Sequence, residues 1–102
     1  VRRDFIYISD FVAALAACIP YVGEFRTFNV GSSSSVSLND LIHLIERLSG
    51  RKAVVHNKPA RAFDIPISQL DINRLRSETG WFPRVDLEAG LVQSLKDYPP
   101  ER

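Results

Sequence analysis

Two arginines and an aspartate are the residues of this chain best suited to chemistry. Arg3 stands at the head of an apolar run, and Arg61 opens a polar stretch punctuated by prolines. A guanidinium presents a planar fork of donors that fits a diphosphate bidentately, which a lysine ammonium cannot do. Asp64 follows Arg61 by three residues. It either pairs with that arginine, a contact worth little if exposed, or accepts a ribose hydroxyl. Taken singly, each arginine also reads as an ordinary surface residue.

The other reactive residue types point away from autonomous catalysis. Ser32 to Ser35 follow Gly31, yet no G-x-S-x-G pattern or nearby base accompanies them. They read as a loop before a capped helix, whose backbone amides could touch an anion. His43, His56 and Cys18 offer no zinc spacing. His43 lies opposite an apolar stripe beside Asn39, Glu46 and Arg47, as a solvated residue would, and His56 reads as an ordinary strand residue. Tyr7 and Tyr98 are not followed four residues later by lysine, so a tyrosine–lysine couple is missing. The five glycines are isolated, with no G-x-x-G-x-x-G, G-x-G-x-x-G or G-x-x-x-x-G-K-[ST] segment. Trp81, after Gly80, is most simply a hydrophobic plug whose indole N–H needs one acceptor; base stacking is the alternative.

These residues sit on a chain of 102 residues, enough for one domain with a modest core. Its 45% hydrophobic and 25% charged residues are those of a folded globular protein. A net charge of +1 is too even to propose nucleic acid or an anionic membrane as a partner on charge alone, so any basic site, such as Arg2, Arg3, Arg51, Lys52 and Lys58, must be local. Cys18 falls among Phe11, Val12, Leu15 and Ile19 and reads as a small buried hydrophobe. No apolar run approaches the roughly 20 residues of a membrane helix, and the opening Val1-Arg2-Arg3-Asp4 leads into no signal peptide. A cytoplasmic location is the resulting expectation. A first residue other than Met, running at once into a strand, suggests a chain that begins mid-protein; an expression boundary or a processed end explains that equally well.

Four helices and a few short strands are predicted. Phe5-Ile6-Tyr7-Ile8 has the pattern of a strand covered on both faces, and Ser9-Asp10 starts a helix over 10–19 with Phe11, Val12, Leu15, Cys18 and Ile19 inward and Pro20 as its stop. Phe25 to Val30 predicts a second strand. Ser37-Leu38-Asn39-Asp40 fits a capping box, with Asp40 accepting the Ser37 amide, and Leu38, Leu41, Ile42, Ile45 and Leu48 continue at helical spacing to Gly50. Ala53 to His56 predicts a third strand, and 57–67 an irregular connection of the kind that often carries function. Asp71 caps a helix to about Thr79, with Ile72 and Leu75 inward and Gly80 at its end. Asp86 caps the last helix, with Leu87, Leu91, Val92, Leu95 and Tyr98 on its core face. The fold class expected is α+β, a small single domain.

Together the segments carry a resemblance. Arg3-Asp4-Phe5-Ile6-Tyr7-Ile8-Ser9-Asp10, Phe28-Asn29-Val30-Gly31-Ser32, Val36-Ser37-Leu38-Asn39-Asp40-Leu41-Ile42, Pro59-Ala60-Arg61-x-x-Asp64-Ile65-Pro66, Asp71-Ile72 and Gly80-Trp81-x-Pro83 with Leu87-Glu88-x-Gly90-Leu91 stand in order over essentially the whole chain. They resemble the extended short-chain dehydrogenase/reductase family, in particular UDP-glucose 4-epimerases and related dehydratases and decarboxylases. The resemblance implies the C-terminal, substrate-binding portion of such an enzyme over residues 1–102, with the N-terminal NAD-binding Rossmann domain absent. It implies that Arg3 and Arg61 approach the diphosphate of a nucleotide sugar and that Asp64 lies near the ribose. It also implies that the strand near Phe28 to Val30 belongs to the parent's cofactor-domain sheet and that the usual dimer helices lie upstream of Val1. Two residues depart from the family pattern. Arg2-Arg3 doubles the arginine, and Phe63 replaces a small residue, often glycine, which would narrow or reshape the nucleotide pocket.

In such enzymes a bound nicotinamide takes hydride from a sugar hydroxyl while a tyrosine of lowered pKa removes the proton. The expectation is therefore a UDP-sugar-binding portion that holds no NAD and no catalytic or metal-binding residues of its own, with self-association as the remedy for an orphan strand edge. The alternative is a non-catalytic structural or interaction domain derived from that family.

Overall fold

The fold is that of a computed structural model, which describes residues 1–59 and 65–98. Four helices dominate it: α1 (Ile8–Cys18), α2 (Leu38–Ser49), α3 (Asn73–Thr79) and α4 (Leu87–Asp97). The strands β1 (Arg2–Arg3) and β2 (Val36–Ser37) pair antiparallel, Arg2 opposite Ser37 and Arg3 opposite Val36. On its other side β1 makes a parallel bridge from Arg2 to Ile67, through Arg2 N to the Pro66 carbonyl at 2.8 Å and Ser68 N to the Arg2 carbonyl at 3.0 Å. Three distant stretches of chain thus meet at Arg2.

Helix starts and stops follow local chemistry. Ser37 Oγ accepts from Asp40 N at 3.0 Å and Asp86 Oδ1 from Ala89 N at 2.8 Å, each satisfying an amide that the first helical turn leaves unpaired. Only this half of the expected capping box forms: Asp40 N donates to Ser37 Oγ, without the return bond from Ser37 N to the Asp40 carboxylate. Gly50 and Gly80 end α2 and α3 with φ of 72° and 78°, the left-handed cap that glycine enters without strain. Asp71 caps one residue early: its carboxylate accepts Asn73 N at 2.9 Å, while Ile72 occupies the N-cap position.

The buried apolar core is small: Ala14, Ile72, Leu75 and Trp81, with Ile6, Ala17, Cys18, Phe28 and Val30 packed partly against it. Ile72, Leu75 and the Trp81 plug sit where their patterns predict. Helices α2 and α4 lie against each other, bridged at their exposed edge by Arg47 Nη2 and Glu88 Oε1 at 2.6 Å. Along α4, Leu87, Leu91 and Leu95 are half-buried, whereas Val92 and Tyr98 face out.

Helix α1 is turned over relative to the expectation. It buries Asp10 and Ala14, and leaves Phe11, Val12, Leu15 and Ile19 exposed, Ile19 at 85%. The small side of the helix allows close approach to Trp81 and Leu75, and it brings the Asp10 carboxylate to the amides of Arg84 and Val85. The expected strands are also shorter or absent. Phe5 and Ile8 are exposed, since β2 offers a partner for only two residues and α1 already begins at Ile8. Neither 25–30 nor 53–56 has a ladder partner among the described residues. A strand exists only where its backbone groups are paired. Residues 25–30 pack by side chains instead, Phe28 meeting Tyr21 edge-on at 5.1 Å.

Candidate functional site

The Arg2-Arg3 doublet divides its work. Arg2 turns to the serine loop, with Nε donating to Ser35 Oγ at 3.1 Å and Nη2 to the Ser35 carbonyl at 2.8 Å. Arg3 turns the other way. Its Nη1 donates to the carbonyls of Arg2 at 2.8 Å and Ile65 at 2.6 Å. Both bonds use one nitrogen, and Arg3 makes no ion pair with the described residues. Arg3 is therefore anchored at one corner of its fork, beside the residue that follows Asp64. Arg61 and Asp64, like Phe63, lie outside the described residues.

Asp4, the neighbour of Arg3, points to a different set of groups. Its Oδ1 accepts from Ser32 N at 2.8 Å and Ser32 Oγ at 2.5 Å; its Oδ2 accepts from Ser33 N and Leu70 N, both at 3.1 Å. Successive amides converging on one anion form a nest. The serine-loop amides thus do meet an anion, but it is the chain's own carboxylate. Ser33 has a φ of 65°, uncommon for a residue with a side chain, and the hydrogen bond that its amide donates to Asp4 Oδ2 holds it there. Neither Asp4 nor Arg2 stands out in the sequence, because a charged residue beside a short strand gives no sign of which distant amides it will meet.

Away from this junction, an open depression of about 210 Å³ is lined by Thr27, Asn29, Asp71 and Arg74. Arg74 donates to the Thr27 carbonyl at 3.3 Å and lies over the Phe25 ring at 4.3 Å, so its charge is already engaged. His43 and His56 are exposed. No group of three His, Cys, Asp or Glu that could hold a metal occurs among the described residues. No described helix is long and apolar enough to cross a membrane.

No family model matches the chain, but individual proteins do. It is 39% identical over 101 residues to the dTDP-4-dehydro-6-deoxyglucose reductase of Escherichia coli, covering 93% of this chain and 30% of that protein. Its fold superposes on the UDP-glucose 4-epimerase of Thermotoga maritima, solved with UDP-glucose, with a TM-score of 0.84 and 30% identity over 93% of this chain and 30% of that one. The chain belongs to the NAD-dependent epimerase/dehydratase family. MoeE5, solved with UDP-glucuronic acid and NAD, matches with a TM-score of 0.82 and 27% identity over 94% of this chain and 33% of its own. The chain thus spans about 30% of the length of the relatives it matches, which fits a C-terminal portion of the family.

The glycines of this chain do not suit the family's NAD. A dinucleotide cradle needs glycines at the opening of a helix, where backbone amides face the pyrophosphate. Here Gly50 and Gly80 close helices, Gly90 lies within α4 against Tyr7, Gly31 is packed on Asp4 and Leu70, and Gly23 lies against Tyr21 in the turn after α1.

Proposed function

We propose that this chain is the nucleotide-sugar-binding portion of an NAD-dependent epimerase or dehydratase, gripping a UDP-sugar diphosphate with Arg3 and Arg61 and the ribose with Asp64. The observation that carries the reading is the placement of Arg3: its guanidinium is held at Nη1 against the Ile65 carbonyl. The residue after Asp64 and the arginine expected to share its ligand are in direct contact. Two arginines converging on adjacent phosphates would supply charge-assisted, bidentate bonds that neither supplies alone. The chain brings binding and orientation, while the hydride and proton chemistry comes from a cofactor-binding domain.

That domain would dock on the outer face of α1 and along 25–30. The accessible surface is 7955 Å², roughly 2000 Å² above the ~5800 Å² typical of a compact monomer of this mass. The radius of gyration is 16.3 Å, against about 13 Å for a compact domain of this length. Ile8, Val12, Leu15, Ile19 and Val22 are each more than half exposed, and a contiguous apolar face of this kind marks an interaction surface. The same surface supports the second reading, a non-catalytic interaction domain, and in the absence of the docking domain it would drive self-association.

Titrating the chain with UDP and UDP-sugars separates the readings. Side-chain Nε–Hε resonances of Arg3 and Arg61 should shift together and saturate. An absence of shifts at millimolar ligand would overturn nucleotide-sugar binding and leave the interaction domain.

A further inference from the structure

We propose that Asp4 is a positioning residue for the diphosphate grip, tying the serine turn and the 65–70 segment to the end of β1 and thereby setting where Arg3 meets Ile65. The inference rests on the nucleotide-sugar reading above.

Its basis is the convergence of four donors on one carboxylate. They come from Ser32, Ser33 and Leu70, chain segments 28 to 66 residues away from Asp4. Leu70 lies five residues after Ile65, so fixing its amide fixes the far side of the strand-like stretch to which Arg3 and Arg2 bond. Gly31 is shaped to this arrangement. A Cβ there would lie 2.8 Å from Asp4 Oδ2 and 3.0 Å from Leu70 Cβ, closer than packed atoms allow, so the half-buried carboxylate uses the space a side chain would fill.

The arrangement also decides what Arg3 is free to do. An arginine adjacent to an aspartate has a carboxylate in reach, and an Arg3–Asp4 pair would compete with an incoming phosphate. Instead the negative charge of Asp4 is satisfied by three backbone amides and a hydroxyl, and neighbouring residues on an extended backbone point to opposite sides. Arg3 keeps its remaining donors for a ligand, while Asp4 holds the backbone frame on the other side.

The test compares the chain with its Asp4→Asn variant. Asparagine keeps the shape but removes the charge and turns an N–H₂ toward amide donors. UDP affinity should fall about tenfold, the ~1.4 kcal/mol expected of a misplaced charged hydrogen bond, and amide hydrogen exchange at Ser32, Ser33 and Leu70 should accelerate without ligand. In an Arg3→Ala background Asp4→Asn should cost no further affinity, a coupling that a merely structural role would not produce. Gly31→Ala, which keeps the charge but displaces Asp4 and Leu70, should reproduce the loss if Asp4→Asn does not fold. Equal UDP binding by the chain and its Asp4→Asn variant, or additive losses with Arg3→Ala, would overturn the positioning role. Failure of the unmutated chain to bind UDP would overturn the nucleotide-sugar reading itself, and this proposal with it.

Discussion

Replacing Asp10 by alanine should remove a large part of the stability of this fold, although Asp10 sits in the first turn of a helix, where an aspartate is ordinarily worth little. Asp10 is 5% exposed. Its Oδ1 and Oδ2 both accept from Arg84 N at 3.1 Å, and Oδ2 accepts from Val85 N at 2.9 Å. Two part-buried amides therefore depend on one carboxylate. A hydrogen bond to a charged acceptor contributes about 1.5–3 kcal/mol, and because these amides can regain some water the lower value applies to each. Loss of the acidic group at the N-terminal turn of α1 adds about 0.5 kcal/mol. The sum is about 3–4 kcal/mol. A domain of this length has a total of roughly 5–15 kcal/mol, and a core of four buried apolar residues among those described puts this chain at the low end. Urea unfolding followed by Trp81 fluorescence measures the loss directly, since Trp81 is 7% exposed. Its indole donates to the backbone carbonyl of Asp10 at 3.1 Å, a bond the substitution leaves in place. A midpoint change worth less than about 1 kcal/mol, at unchanged denaturant slope, would show that the 84–85 segment is held by something other than this carboxylate.

Other perturbations test separate parts of the structure. Leu15→Lys, on the outer face of α1 where Leu15 is 51% exposed, should reduce self-association in sedimentation while changing the unfolding midpoint by no more than about 0.5 kcal/mol. Gly80→Ala should cost about 1 kcal/mol in the same urea titration, because a Cβ is strained at φ 78° although nothing else lies within 4 Å. Ser37→Ala should cost about 1 kcal/mol through the lost bond to Asp40 N; an unchanged midpoint would mean that β2 alone fixes the start of α2. Partial burial, reinforced by a hydrogen bond to the Glu78 carboxylate at 2.7 Å, pushes the Tyr21 phenol above its ordinary range, against the lowering effect of the Phe25 amide. Its stabilising contribution is then complete below the ordinary tyrosine pKa and lost as pH rises through the raised one. Ultraviolet titration should show a late-ionising tyrosine that Glu78→Gln returns toward the ordinary range.

Capping and periodicity are local properties, and they were legible. The paths of α2, α3 and α4, the glycine stops of α2 and α3, the inward Ile72 and Leu75 and the Trp81 plug all follow from residues within a turn or two of one another. The family was legible for the same reason: short motifs keep their order whatever they pack against. The arginine doublet was not. Arg2 and Arg3 are alike in type and differ only in which distant segment each meets, Ser35 for one and Ile65 for the other.

The amino-acid sequence by itself determined the caps of α2 and α4, the glycine ends of α2 and α3 and which family the chain belongs to, because these rest on spacing and on side-chain chemistry. Tertiary structure alone decided the orientation of α1, the loss of the 25–30 and 53–56 strands and the assignment of Asp4 and Asp10 to distant amides. A helix with apolar residues on one side and alanines on the other can bury either; here close packing on Trp81 and satisfaction of the Asp10 carboxylate outweighed the larger apolar face. A strand needs a partner for its backbone, and a carboxylate needs donors; neither requirement can be read from the residue that has it.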